Sequence, residues 1–416
     1  MFKKLTTLIL GLTFLAACSP APTASVFLKQ VELNDSTQQI EVPEDIKTSI
    51  FEMATEITPD YFLASDKDNQ IFSPLSLWYA LGVLREGATN ETLAEINEMM
   101  KLPADFDSSK VIPELSKTLN FMEASKLAKD KSKHGIRLTN GIFFDESYKD
   151  NILESYLQKA ADIWGTETAQ VDFTNEKETK EIIKNWVSDK TDQFIDDYEA
   201  TFAKDGSAIL NIYNVLYLKD LWLNPFTKLD AETFYAPQGD ILVPFIQQVD
   251  NNIPYHDHEL ARAAAFSGEK GIRVWFLLPK GDNRPIDLIP ELQSILADSE
   301  DTYLDFKAPA LDIDGENLSL KDLLEDKGYT RLFNEAQLDN MLTGLEPVVS
   351  EIKQKTKLQM DEKGFKAAAV TEIGIAETSG PADPPIEFYV DQPYLLVIEY
   401  QGLPLFISQI TNPVEH

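Results

Sequence analysis

Residues 361–385 read DEKGFKAAAVTEIGIAETSGPADPP, and this stretch decides how the rest of the chain is understood. Connections between elements have a median of ~4–6 residues, so a loop this long inside a compact domain is either functional or misassigned. Alternate positions from Phe365 are Phe365, Ala367, Ala369, Thr371, Ile373 and Ile375. That parity is apolar or small, whereas Lys366, Ala368, Val370, Glu372, Gly374 and Ala376 are mixed. This is the pattern of a strand half-buried in a sheet. No proline interrupts residues 364–378, so ladder hydrogen bonds are allowed there. The stretch reads as a loop able to become a strand. A flexible alanine-rich linker fits the same pattern.

The flanks are strand-like. In residues 348–360, Ile352, Gln354, Thr356, Leu358 and Met360 alternate with Lys353, Lys355, Lys357 and Gln359. That is a strand with one covered face, and the loop can fold back antiparallel to it. Residues 386–390, 394–400 and 405–410 read as further strands. Helices dominate earlier. Residues 43–64 carry apolar positions at helical spacing, with Pro59 expected to end or kink the helix. Ser73 is placed to cap a buried helix that has Pro74 in its first turn. Asn90 is expected to cap the next helix, and residues 104–135 read as charged and mainly helical. Residues 136–144 and 209–222 read as strands, 148–164 and 175–194 as helices, and 171–173 as a short strand. Short β-like runs follow over 233–278, with helical signals at 285–297 and 318–327. Helices first and strands later predict one α+β domain.

The chain has 416 residues, 43% hydrophobic and 10% aromatic, which supports a sizeable core. The net charge of −32, with no basic stripe, argues against nucleic acid as a partner. The N-terminus is not part of the fold. Lys3 and Lys4 precede an apolar run over residues 5–15, too short to span a bilayer, as in a secretory signal. The run ends in Leu15-Ala16-Ala17-Cys18, which resembles the bacterial lipoprotein box. That resemblance implies a signal peptide over residues 1–17, diacylation of Cys18, a tether over 18–42 and a domain over 43–416. It places the protein at a bacterial membrane, the outer one by the family's sorting rule, either periplasmic or at the cell surface. Two acyl chains suffice for stable anchoring. Cys18 is the only cysteine, so no intrachain disulfide is possible.

Catalytic signatures are missing. His258-Glu-Leu-Ala-Arg262 lacks the second histidine of a zinc-protease helix, so the His256–Glu259 cluster reads as a charged hairpin tip. No nucleophile elbow, phosphate loop or dinucleotide fingerprint is present. No cofactor and no metal are expected.

Several motifs in fixed order resemble the serpin family. These are NQIFSPLSL (69–77), LTNGIF (138–143), NWVSDKT (185–191) and NVLYLKDLW (214–222), followed by VPFI (243–246) and FYVDQPYLLVI (388–398). Pro404, Asn412 and Pro413 fit the terminal strands. Asp220 stands where the family has glycine, and Tyr394 where it has phenylalanine. The resemblance implies a single domain of three β-sheets and about nine helices with an exposed reactive-centre loop. It implies a monomeric inhibitor, not an enzyme, whose partner is an endopeptidase of the serine or, secondarily, the cysteine class. In this mechanism the loop is cleaved and its N-terminal half inserts into the main sheet. By the family's spacing, Glu362 and Gly364 belong to the hinge. Phe365, Ala367, Ala368, Ala369, Val370 and Thr371 continue it. Thr378–Ser379 is the expected scissile bond, sixteen residues after Glu362, and implies an elastase-like or broad-specificity target. A slip of one residue makes Glu377 the bait. Ser73, Ser76, Asn214, Trp222 and Gln354 mark the region where the sheet opens. Gln354 replaces a family histidine and is expected to keep a polar network with Ser76 and Asn214. Phe365 replaces a small hydroxyl residue, and its bulk is expected to hinder insertion, since overpacking costs ~1–3 kcal/mol. A non-inhibitory serpin, acting as a substrate or binding module, is the alternative.

Overall fold

A computed structural model describes residues 27–29, 40–127, 132–202, 207–315, 318–350, 352–366 and 384–413. A short strand, β1 (Phe27–Lys29), precedes the first helix, α1 (Glu44–Ala64). The helix runs unbroken through Pro59. Tyr61 and Phe62 beyond it are buried in the core, which outweighs the ~3 kcal/mol cost of an interior proline. After β2 (Gln70–Phe72), α2 (Pro74–Gly87) starts as its sequence predicts, with Ser73 Oγ accepting from the Ser76 N–H at 3.2 Å. The residue at the start of helix α3 (Asn90–Met99) is Thr89 rather than Asn90, and its hydroxyl makes no cap bond but donates to Asp339.

Helix α4 (Ser108–Thr118) is followed by β3 (Phe121–Ala124), a strand within a stretch read as helical. Its buried Phe121 and Met122 pair it with the start of β4 (Lys133–Asp145). Helix α5 (Glu154–Trp164) begins later than expected and stops at Gly165, whose φ of 62° favours glycine. Strand β5 (Thr166–Val171) lies just before the 171–173 run read as a strand. Helix α6 (Glu176–Lys190) turns Ile182, Ile183, Trp186 and Val187 inward, as its periodicity predicts. Strand β6 (Leu210–Leu221) follows.

The second half is mostly strand. It runs through β7 (Thr227–Ala236), β8 (Gly239–Asp257), β9 (Ala261–Ser267) and β10 (Ile272–Pro279). Next come α7 (Leu292–Ala297), β11 (Glu300–Pro309), β12 (Leu311–Asp314) and β13 (Leu318–Ser319). Helices α8 (Lys321–Asp326) and α9 (Arg331–Asn334) lead to β14 (Lys353–Gln354) and β15 (Lys357–Met360). The last strands are β16 (Gly364–Phe365), β17 (Ile386–Tyr389), β18 (Tyr394–Tyr400) and β19 (Leu403–Ile410).

Among the described residues these make three sheets and nine α-helices. The eight-stranded sheet has the order β1-β5-β4-β6-β16-β15-β12, with β3 paired to β4. The nine-stranded sheet runs β17-β11-β8-β9-β10-β18-β19-β2, with β7 on β8. One large core lies between these sheets and α1 and α2. A smaller cluster lies beneath α6, where Trp186 and Ile183 meet Phe143, Val215 and Tyr198. His256 and His258 do flank a hairpin tip, between β8 and β9.

Candidate functional site

The site begins with a turn. Asp361 Oδ1 accepts from the N–H groups of Lys363 (2.8 Å) and Gly364 (3.2 Å), and the Asp361 N–H donates to the Gly364 carbonyl. An aspartate side chain bonding its own downstream backbone is a turn-former. It reverses the chain so that Phe365 pairs with Met360. Burial raises the pKa of this carboxyl. The turn is fastened to the end of β6. The Trp222 N–H donates to the Lys363 carbonyl and the Phe226 N–H to the Glu362 carbonyl, both at 2.9 Å. The Trp222 indole N–H donates to the Asp361 carbonyl at 2.8 Å. Gly364 is required here, because a Cβ would stand 2.2 Å from the Asp220 carbonyl oxygen.

Phe365 is therefore already in the sheet. It pairs with Asp220 on one side and Met360 on the other, antiparallel to both strands. Its ring is 1% exposed and meets Trp222 edge-on, with centroids 5.0 Å apart. Its bulk is accommodated where it sits. Trp222 and the Phe226–Phe266 cluster behind it form an aromatic seat that takes a ring.

This wedge parts the sheet. Among the described residues, β6 pairs only with β4 and β16, and β15 only with β16 and β12. A cleft of about 340 Å³ lies between β6 and the 346–354 segment, with Ser76, Asn214 and Gln354 in its walls. The network expected from the sequence is divided accordingly. Gln354 accepts from the Ser73 N–H at 2.6 Å and donates to the Ser73 carbonyl at 2.9 Å, while Ser73 and Ser76 share a hydroxyl contact of 3.0 Å. Asn214, across the cleft, donates instead to Asn140 Oδ1 at 2.8 Å. Its own Oδ1 is buried without a partner among the described residues. Gln354 lies on β14, paired with β13 outside the eight-stranded sheet, and the cleft separates it from Asn214 on β6.

Asp220 and Gly268, beside the hinge, form a pair of which sequence reading noted only the first. Asp220 is fully buried and takes N–H bonds from Leu221 (2.9 Å) and Lys270 (2.8 Å). Burial nevertheless raises its pKa to about 7. Gly268 makes room for it, since a Cβ there would lie 2.1 Å from Asp220 Oδ2. The exchange of glycine for aspartate at 220 was the visible half of this pair. Ala367, Ala368, Ala369, Val370, Thr371, Glu377, Thr378, Ser379 and Cys18 lie outside the described residues.

The first residues of the chain's own long loop, Gly364 and Phe365, thus form a short strand between β6 and β15 in a large mixed sheet. A family model described as Serpin (serine protease inhibitor) matches residues 51–413, and the chain belongs to the serpin family. Members are generally protease inhibitors rather than enzymes. An uncharacterized serpin-like protein of Thermococcus kodakarensis is 25% identical over 363 residues, covering 84% of this chain and 82% of that one. Antithrombin-III of Mus musculus is 28% identical over 367 residues, covering 84% and 77%. The native-state structure of a thermophilic serpin, tengpin, superposes with a TM-score of 0.78 at 20% identity, covering 94% of this chain and 100% of that chain. That likeness speaks to the fold alone.

Proposed function

We propose that this chain inhibits serine-type endopeptidases as a suicide substrate, with residues 361–385 as bait. The protease's nucleophile attacks the carbonyl of Thr378, and the Ser379 amine leaves with the proton, giving an acyl-enzyme. The N-terminal half of the loop then enters the eight-stranded sheet before water can release the protease. The small β-branched Thr378 suits an elastase-like or broad-specificity target.

One observation carries the reading: Gly364 and Phe365 form a strand between β6 and β15. Continued in the same register, an inserted strand puts Ala367 between Leu218 and Leu358, and Thr371 between Asn214 and Gln354. The alternation of the loop thus matches what flanks it. The Thr371 hydroxyl would meet an Asn214 acceptor that is buried without a partner among the described residues, and filling such a need is worth ~1–3 kcal/mol. On the same reading, Cys18 carries lipid and holds the domain at the outer membrane of a bacterium.

The test is a denaturing gel after mixing the protein with elastase-, subtilisin- and trypsin-like proteases. A covalent complex attached through residue 378 is the expected result. Clean cleavage near Thr378 with the protease still active would instead make the chain a substrate or binding serpin and overturn the proposal.

A further inference from the structure

Lys366 is the residue at which the strand stops. Its N–H still donates to the Gln359 carbonyl at 2.7 Å, but its φ of 50° turns the chain out of the extended conformation. Such a left-handed conformation is disfavoured for a side chain other than glycine, asparagine or aspartate, so something must hold it. The side chain passes to the α6 side of the sheet. Nζ donates to the carbonyl of Thr191, the residue that caps the C-terminal end of α6, at 3.1 Å. It stands 3.7 Å from the ring centroid of Phe194 and 4.3 Å from that of Tyr217. Thr191 is itself fixed by its hydroxyl, which donates to the Val187 carbonyl and accepts from the Ile195 N–H. To become a strand residue, Lys366 must return to negative φ, and that rotation moves the base of the side chain that now reaches this seat.

We propose that Lys366 is a positioning residue for loop insertion: by tying the hinge to the C-terminal turn of α6, it holds the strand at its first two residues and sets how fast the rest advances. The inference rests on the insertion reading above and adds a control point to it.

The seat distinguishes amine from ammonium. The two ring faces and the helix end favour the charged form. Burial opposes it, and around Nζ the cations Arg137 on β4, Lys219 on β6 and Lys357 on β15 oppose it too. Asp192, in the turn after α6, is the one acid among these neighbours, and it is shared with Arg137 at 3.0 Å. Lys357 is in turn 3.6 Å from Asp314, and Lys355 beside it is 3.7 Å from Asp197. Burial and the cations prevail and bring the Lys366 pKa down to about 7. The seated hinge is thus favoured above neutrality, where the amine still donates to Thr191, and loosened below it.

The test compares wild type, Lys366→Met and Lys366→Gln as full chains. The loop is nicked by a protease, and insertion is followed as the gain in thermal stability with time, from pH 6 to pH 9. Lys366→Met is expected to insert about tenfold faster than wild type at pH 8, the order expected for losing one buried hydrogen bond. Wild type should approach it as pH falls from 9 towards 7 and level off below, while Lys366→Met shows no such rise. Lys366→Gln, which can still donate to Thr191, should fall between them. Equal rates at pH 8, or a wild-type pH profile retained in Lys366→Met, would overturn the proposal; a retained profile would assign the titration to Asp220. If even wild type gains no stability on nicking, the insertion reading fails. The tie to α6 is then judged by hydrogen exchange of the Lys366 amide, where no acceleration in Lys366→Met overturns it as well.

Discussion

Replacing Phe365 by threonine, the kind of residue the family resemblance leads one to expect there, asks whether the hinge is seated by its side chain. The ring is 1% exposed and lies 5.0 Å from Trp222. Truncating a buried phenylalanine to alanine costs ~3–5 kcal/mol. Threonine restores part of the volume, so a loss of about 2–3 kcal/mol is expected. This energy bears on the seated hinge relative to an opened one, because residues 361–366 can leave the sheet without unfolding the domain. At ~1.4 kcal/mol per tenfold, the opened hinge becomes about 30- to 140-fold more populated. Native-state hydrogen exchange reads this directly. The amides of Trp222, Phe226 and Lys366, which donate to Lys363, Glu362 and Gln359, should exchange faster by that factor. The amides of β18, whose residues are all buried, should not change. Exchange at the three hinge amides within about threefold of wild type would refute the argument, and acceleration that includes β18 would show that Phe365 supports the whole fold instead.

Asp220 predicts a pH dependence of stability. Its folded pKa of about 7 lies above that of an unfolded aspartate. The folded protein therefore keeps a proton between about pH 4 and 7 that the unfolded chain has lost, and this contribution disappears as pH rises through about 7. At ~1.4 kcal/mol per tenfold the decline is at most about 4 kcal/mol, and Asp220→Asn should flatten it in urea titrations across that range. Gly364→Ala should unseat the hinge, because its Cβ would meet the Asp220 carbonyl at 2.2 Å; the check is loss of exchange protection at Trp222 and Phe226, with β18 unaffected. The Tyr394 hydroxyl is buried with no partner among the described residues, so Tyr394→Phe should raise stability by ~1 kcal/mol, measured as a higher denaturant midpoint at constant slope.

Local features were legible in the chain. Ser73 and Pro74 mark the start of α2 because the cap is made within four residues. The run 394–400 is a strand throughout because every one of its side chains is buried. Alternation in 352–360 and in the loop gave the direction in which the chain folds back. What escaped depended on partners far away in sequence. Nothing near Phe365 announces that Trp222, Phe226 and Phe266 form a seat for its ring. Nothing near Pro59 shows that Tyr61 and Phe62 beyond it will be buried. Strand β3 was missed because only Phe121 and Met122 of its four residues are buried, too short a run for any periodicity. Gln354 and Asn214 were joined on chemistry alone, and a cleft keeps them apart, Gln354 on β14 beside β13 and Asn214 on β6. Lys366 looked like the polar member of an alternating pair until the end of α6 gave it a carbonyl and the Phe194 ring and β6 gave it the Tyr217 ring.

Strand β1 gives the proposed anchor a geometry. Its backbone pairs with the outer edge of β5, Phe27 opposite Ala169. Nine residue steps separate Cys18 from Phe27, a leash of at most ~32 Å when fully extended. On the proposed acylation of Cys18, that leash would keep the β5 edge of the eight-stranded sheet within about 32 Å of the lipid. The hinge strand lies four places along from β1, about 19 Å farther out at ~4.8 Å per strand. On the insertion proposed above, a new strand at that seam would move β15 and β12 away from β6 and the tethered edge. A captured protease would be carried by a sheet that widens away from the lipid.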